Sequence, residues 1–417
     1  MSSFQPVRGT VDWLPEDARK HRTIEVLFAR LAGRYGFGEI ATPIFEFTDV
    51  FSRTLGETSD IVTKEMYTFT SGDESLTLRP EGTAGVARAF ITHGLHHALP
   101  LKVFYRGPMF RHERPQKGRL RQFHQVGVEL LGVDSPLADA EIITLAAHFL
   151  DELGVADRVT LELNSLGDAE SRAAYRAALV DHLTTRMDAL SDDSRRRLAR
   201  NPLRILDSKD ESDRAVVATA PLLTDFLNAP SRAFLDRVCA LVATAGLAPV
   251  LNPRLVRGLD YYCHTAFEFT TTALGAQGTV LAGGRYDGLI QQMGGPATPG
   301  IGWAAGVERL ALLHEGREPL PRPVVLVPLG EAAESAGFAL AHELRKAGLP
   351  VEMGYAGALS RRLKRAHKMN ARLAVIVGET ELAQGKAVVR DLDDGTQRDV
   401  AFADLAGQMI RLYRESQ

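Results

Sequence analysis

The stretch Phe110–Glu129, FRHERPQKGRLRQFHQVGVE, restricts what this chain can fold into more than any other. It belongs to a section, Leu101 to Leu131, that reads as two antiparallel strands around a long polar loop. Successive residues of a strand point to opposite faces. From Arg121 onward, one face therefore carries Arg121, Phe123, Gln125, Gly127 and Glu129. The other carries Gln122, His124, Val126, Val128 and Leu130, and becomes apolar toward its end. A strand that sets polar groups over a packed apolar layer builds a pocket floor. Arg111 and Glu113 share a face on the preceding strand. The loop from Arg114 to Leu120 has two readings. A charge run is usually a solvated tip. Alternatively, arginines grip phosphate through paired hydrogen bonds and an aromatic such as Phe123 stacks a base.

A chain of 417 residues has room for about three domains. The net charge of −3 gives no global pull toward nucleic acid, so any such site is a local cationic patch. With only Cys239 and Cys263, neither a disulfide framework nor a CxxC metal site is available. The start, MSSFQPVRGTVDWLPED, lacks a signal pattern, and no uncharged apolar run is long enough to span a bilayer. The expected setting is reducing and cytoplasmic, with no membrane partner.

Residues 15–35 read as a helix, with Pro15 at its first turn and Gly36 as its stop. FGEIATPIFEF reads as strand, break at Pro43, strand. Stretches 137–153 and 170–190 are helical by period and caps. Residues 168–245 are helix-rich and glycine-poor, which predicts an α-helical insertion between a first core part, 1–167, and a second, 246–320. Strand signals return with LVRGLDYYCHTAFEFT and GTVLAGG, and 302–315 reads as a helix after a glycine turn. Pro319, Pro321 and Pro323 stiffen a linker. Strand and helix then alternate through 323–417, which predicts a small α/β domain with a mainly parallel sheet.

Other chemistry-bearing stretches are individually weak. LRPEGTAGVARAF offers Glu81 and Thr83 near a helix start, either holding an amino group or simply capping. RGLDYYCHTAFEF sets Arg257 near Tyr261 and Tyr262; adjacent strand tyrosines face opposite ways, so one at most belongs in the core. AGGRYDGL adds Arg285 and Tyr286, and GIGWAAGVERL adds Arg309. No GxxxxGK[ST] loop, HRD or DFG, GxSxG or HExxH occurs. THGLHH reads as a surface helix end, so no metal site is expected.

Taken in order, these stretches resemble class II aminoacyl-tRNA synthetases, specifically the histidyl-tRNA synthetase family. Pro43 sits where the first family motif has its dimer-interface proline. FRHE with its loop and RQFHQVGVE looks like the second motif, and GVERL like the third. RGLDYY and AGGRYDGL are similar to two signatures peculiar to the histidine enzymes. The likeness covers nearly the whole chain; Cys263-His264 departs where the family varies.

The resemblance implies an α+β catalytic core of class II type, an antiparallel sheet with flanking helices. An α-helical insertion and a C-terminal α/β anticodon-binding-like domain complete it. It also implies a homodimer that joins L-histidine to tRNA(His) at the expense of ATP, with Mg²⁺ and no structural metal. Carried onto this sequence, it gives Arg257 and Arg111 catalytic roles on the histidine carboxylate and the α-phosphate. Glu81, Gly82, Thr83, Gln125, Glu129, Tyr261, Tyr262 and Tyr286 join them around histidine. Glu129 and Tyr262 are expected to read the two ring nitrogens, one accepting and one donating. Phe123 would stack adenine, Glu113 would take its amine, and Arg121 and Arg309 would clamp the outer phosphates. Arg114, Gln116 and Arg119 on the loop would meet the tRNA acceptor end. Arg361, Arg365, Lys368 and Arg372 follow helical spacing, a solvated face by default; in this setting Arg361 and Arg365 would meet the anticodon stem. A rival is the synthetase-like regulatory partner of ATP phosphoribosyltransferase, which lacks the C-terminal domain and loses motif residues.

Overall fold

The computed structural model describes residues 4–55, 61–208, 210–256, 261–275, 278–316 and 321–414. Residues 1–317 form one compact unit and residues 318–417 another. In the first unit the strands are β1 (Gly38–Glu39), β2 (Phe45–Phe47), β3 (Tyr67–Ser71), β4 (Glu74–Leu78), β5 (Leu101–Phe110), β6 (Gln122–Leu131), β7 (Thr160–Ser165), β8 (Val250–Leu251), β9 (Cys263–Thr270), β10 (Thr279–Arg285) and β11 (Gly300–Gly306). Eight of them form one sheet in the order β1-β5-β6-β11-β10-β9-β7-β8. Its six inner strands are antiparallel, and each edge adds a two-residue strand in parallel. β2, β4 and β3 make a small separate sheet.

Strand period decides which side of the large sheet is core. Val126, Val128 and Leu130 of β6 pack with Phe28, Phe149 and Trp303 under the helices Pro15–Arg34 and Pro136–Glu152. The opposite face of β6 is left for Gln125 and Glu129. The stretch read as a helix over 302–315 is instead strand β11 followed by a short helix, Val307–Leu313. Ile301, Trp303 and Ala305 alternate and are buried, a period of two that outweighs the helical look of the small residues between them.

Between β7 and β8 the chain forms the helices Ala169–Thr184, Asp192–Arg200, Glu211–Ala218 and Ala229–Thr244. Each starts at a side-chain cap: Asp168, Ser191, Asp210 and Asn228 accept from backbone N–H groups one turn on. Tyr175, Leu179, Leu183 and Val216 from this segment share a core with Tyr261, Tyr262 and Tyr286. The last helix instead joins the core of the large sheet through Leu235, Val238 and Val242.

In the second unit, β12 (Val324–Pro328), β13 (Val351–Met353), β14 (Leu373–Val377), β15 (Lys386–Asp391) and β16 (Gln397–Ala401) lie in the order β13-β12-β14-β15-β16. The sheet is less parallel than expected. β12 pairs in parallel on both sides, but β14, β15 and β16 pair antiparallel. β12 and β14 are buried throughout, whereas β15 alternates between buried and half-buried. A strand wet on one face suits an antiparallel edge, and Gly395, at φ +77°, turns the chain between β15 and β16. The helix Leu359–Lys368 buries only Ala366 and leaves Arg361, Lys364, Arg365 and Lys368 exposed. Arg372 leaves the expected basic stripe: it lies beyond the helix, ion-paired with Asp391 and with Asp393 at 3.0 Å. Among the described residues no helix is long and apolar enough to cross a membrane.

Candidate active site

The helix Thr83–Thr92 begins at the edge of the cavity. Both carboxylate oxygens of Glu81 accept backbone N–H groups, from Thr83 and Ala84, each at 2.8 Å. Glu81 thus satisfies two of the helix's open donors while lining the cavity. The Thr83 hydroxyl donates to Glu129 at 2.7 Å, and the Tyr286 hydroxyl donates to the other Glu129 oxygen. Glu129 has no exposed surface. Gly302 faces it from the neighbouring β11, where a Cβ would lie 1.8 Å from the carboxylate. Burial raises the Glu129 carboxyl from its ordinary 4.5 to about 8, against the pull of the Tyr286 and Thr83 donors.

This shift has a consequence for stability. Between pH 4.5 and about 8 the unfolded chain releases this proton while the native state keeps it. Stability from this group is therefore full below pH 4.5 and is lost as pH rises to about 8. Glu129→Gln removes the effect. Melting temperatures of the unliganded variant and parent should nearly coincide at the acid end and separate toward pH 8, with the variant higher. A constant gap would contradict the assignment.

Tyr261 and Tyr262 lie in a turn before β9, not within a strand, which is why both are buried, at 5% and 8% exposure. Their ring centroids are 4.6 Å apart, and Tyr286 meets Tyr261 edge-on at 5.8 Å. All three line one cavity of about 590 Å³. Gln125 also lines it, and its buried Oε1 has no hydrogen-bond partner among the described residues. Gly82 is required beneath the pocket, because a Cβ there would lie 2.3 Å from the Tyr105 ring. Tyr105 itself escaped the sequence reading: it looks like any strand tyrosine until the helix start folds over it.

Arginines gather at the other end of the same cavity. Arg111 is aimed by a 2.8 Å hydrogen bond from its Nε to the Pro80 carbonyl. Its guanidinium sits 5.3 Å from the Phe123 ring centroid, and its Nη1 is 3.8 Å from Glu113. Arg309 lines the cavity with Nε and Nη2 buried and without a hydrogen-bond partner among the described residues. Burial, then repulsion from Arg119, lowers it to about 10. Two loop arginines sit elsewhere than expected. Arg119 folds back into the cavity wall and pairs with Glu113. Arg121 is outside the cavity lining, held under Gly9, with its Nε donating to the Glu113 carbonyl at 3.2 Å. Arg114 and Gln116 are exposed. Arg257 lies outside the described residues.

The sequence reading also passed over Glu162 and Glu268. They stand directly opposite each other on β7 and β9 and line the cavity. Their signal was an acid alternating with buried apolar residues in LEL and FEF. Behind the floor, His124 donates its backbone N–H to Glu308 at 2.8 Å, and its ring Nδ1 is 2.9 Å away. With His21 these form a group whose possible metal-ligand atoms lie within 4.8 Å, the grouping of that kind among the described residues. The contacts to His124 already engage that carboxylate.

An antiparallel sheet with a buried carboxylate under one end of a cavity and arginines at the other is the architecture of a class II aminoacyl-tRNA synthetase, an ATP-using enzyme class. The family model for histidyl-tRNA synthetase matches residues 9–310, and that for an anticodon binding domain matches residues 323–412. The histidine–tRNA ligase of Rhodospirillum rubrum is 63% identical over 414 residues, 99% of this chain and 100% of that protein. That of Gluconacetobacter diazotrophicus is 57% identical, over 96% of this chain and 97% of that protein. The crystal structure of apo histidyl-tRNA synthetase from S. aureus superimposes with a TM-score of 0.83 at 36% identity, covering 98% of this chain and 100% of that one. The chain belongs to the histidyl-tRNA synthetase family.

Proposed function

We propose that this chain is a histidine–tRNA ligase acting on L-histidine, MgATP and tRNA(His). The observation that carries the reading is the buried Glu129 carboxylate, held by Thr83 and Tyr286 beneath a cavity whose far end holds Arg309, two of whose buried nitrogens lack a hydrogen-bond partner among the described residues. A carboxylate oxygen of histidine attacks the α-phosphorus of ATP, and the bond to pyrophosphate breaks. A terminal ribose hydroxyl of the tRNA then attacks the histidyl carbonyl. It loses its proton, and AMP leaves. Glu129 accepts from one imidazole nitrogen and the Tyr262 hydroxyl donates to the other, the Tyr286 hydroxyl being engaged with Glu129. Glu81, Thr83 and Gln125 take the ammonium. Arg111 bridges the carboxylate and α-phosphate with Arg257, whose role rests on the family resemblance. A cation there lowers the barrier as charge redistributes between two anions. Arg309 and Arg119 face the outer phosphates, and Phe123 stacks the adenine. Glu162 and Glu268, which already accept from Asn252, Thr270 and Thr279, would offer their remaining lone pairs to the Mg²⁺ of MgATP.

A site that hydrogen-bonds both ring nitrogens discriminates by roughly 10⁴–10⁵ without editing. Arg114 and Gln116 remain available to the acceptor end, and Arg361 and Arg365 to the anticodon stem. The exposed Phe45, Phe47 and Phe69, near Pro43 on the small sheet, suit a homodimer face. The proposed setting is cytoplasmic. The regulatory reading is disfavoured because the tail domain and Arg111, Glu113 and Arg309 are all present.

The test is histidine-dependent exchange of labelled pyrophosphate into ATP; folded protein that shows none would refute the reading. Removing 323–417 should spare this exchange and raise the tRNA concentration needed for aminoacylation steeply, by roughly tenfold or more if several phosphate contacts are lost. Unchanged aminoacylation of the truncated protein would rule out the tail's tRNA role.

A further inference from the structure

In the helical segment between β7 and β8, the first and last helices start at one knot. Asp168, which caps its first helix, donates its backbone N–H to Ser231 Oγ at 3.2 Å. Asn228, which caps its last, donates its backbone N–H to Ser171 Oγ at 3.1 Å. Asn228 Nδ2 donates to the Asp168 carboxylate at 2.8 Å. The two helix starts therefore exchange partners and hold each other in place. Ser171 and Ser231 are buried within this knot.

Two side chains reach from the knot to the histidine end of the cavity. Arg172, in the first turn of the first helix, donates from Nη1 to the Tyr262 carbonyl at 2.6 Å. Phe234, in the last helix, lies 5.3 Å beneath the Arg285 guanidinium. Arg285 is fully buried, paired with Asp139 and with Asp287 at 3.0 Å, and directly precedes Tyr286. Phe234 also stacks at 4.9 Å on His264, whose φ of +43° is unusual for a residue other than glycine. His264 is further held by its N–H to the Gly167 carbonyl at 2.9 Å, and its own carbonyl accepts from Leu166 at 2.6 Å. The knot thus holds the Tyr262 carbonyl and the residue two positions on, and braces the residue before Tyr286. No residue of the knot itself lines the cavity.

We infer that this knot positions the histidine-binding tyrosines, with Arg172 and Phe234 as positioning residues that set the affinity for the amino acid and leave the nucleotide end alone. The inference rests on the proposed ligase reading. It assigns the helical segment a part in amino-acid recognition even before any tRNA binds.

The experiment is steady-state pyrophosphate exchange by the full-length protein, titrating histidine and ATP separately. Arg172→Met keeps the aliphatic stem and removes the donor. KM for histidine should rise roughly tenfold or more, the scale of a lost charged hydrogen bond. KM for ATP should stay within about twofold of the parent, as should kcat at saturating histidine, the signature of lost ground-state binding. Arg172→Lys, which restores a cationic donor, should recover most of the loss. Phe234→Leu should shift KM for histidine in the same direction, and it carries the test if Arg172→Met does not fold. An unchanged KM for histidine in both folded variants overturns the inference. So does a parallel fall in every parameter without rescue by lysine, which marks general loosening. If the parent shows no histidine-dependent exchange, the ligase reading fails and this inference fails with it. Exchange by the parent with unshifted variants condemns the inference alone.

Discussion

Glu129→Gln is expected to lower kcat/KM for histidine by roughly 10³-fold or more, within the range for a site that loses a specific polar match to its substrate. Glutamine keeps the shape and both acceptor sites of one oxygen, but replaces the other with an NH₂ donor. Thr83 and Tyr286 both donate to this side chain, so one of the two would then face another donor. The imidazole would lose a carboxyl partner, which can ionise as the ring binds, and would meet a neutral amide instead. The ATP end lies beyond the tyrosine wall, so KM for ATP should hardly change. Kinetics and direct histidine binding check this together. Intact histidine selection in the variant would remove Glu129 from the recognition site. The same substitution should stabilise the unliganded protein at neutral and higher pH, because burial opposes ionisation of this carboxyl. Lost activity with gained stability separates a functional carboxylate from a merely structural one.

The second large effect is expected at Arg309. Arg309→Met should lower kcat/KM for ATP by roughly 10²–10³-fold, the loss typical when one fixed charge that stabilises a reacting anion is removed. Histidine binding measured without ATP should be unchanged. Arg309 is half-buried, with two nitrogens lacking partners among the described residues, and nearby Arg119 repels it. A cation held in this way is destabilising until an anion arrives. The variant should therefore melt higher than the parent without ligand, yet gain less from added ATP. A variant that melts lower and keeps its ATP response would show that Arg309 serves packing instead.

The two substitutions share a logic. Each removes an ionisable group that the empty protein holds at a disadvantage and that the substrates would relieve. Local rules expose such groups only partly. Period two placed Glu129 and Gln125 on one face of β6, and the register of Leu101↔Leu131 through Phe110↔Gln122 bears out that strand pair. The same rule misjudged Tyr261 and Tyr262, because they belong to a turn, where alternation has no meaning. Residues 302–306 mislead for another reason: small residues suit a helix entry and a close-packed strand alike, and only the neighbours β6 and β10 decide between them. Loop residues 114–121 carried too many arginines to assign by type alone. Which of them turns inward depends on Gly9, over one hundred positions away, whose carbonyl takes the Arg121 N–H at 2.7 Å.

What this sequence determined by itself is local: helix caps and stops, the strand pair around the charged loop, the break in grammar after the proline-rich linker, and the set of motif residues that resembles one family. These follow from backbone preference and periodicity within a dozen residues or so. The tertiary structure decided depth and partnership. Glu129 meets Tyr286 across 157 positions, and Arg172 meets the Tyr262 carbonyl across 90. Two buried nitrogens of Arg309 remain without a hydrogen-bond partner among the described residues. Whether a charge is solvated, paired or stranded depends on which distant elements close over it. Ionisation follows the same rule, since it responds to the dielectric and donors around a group and not to its neighbours in the chain.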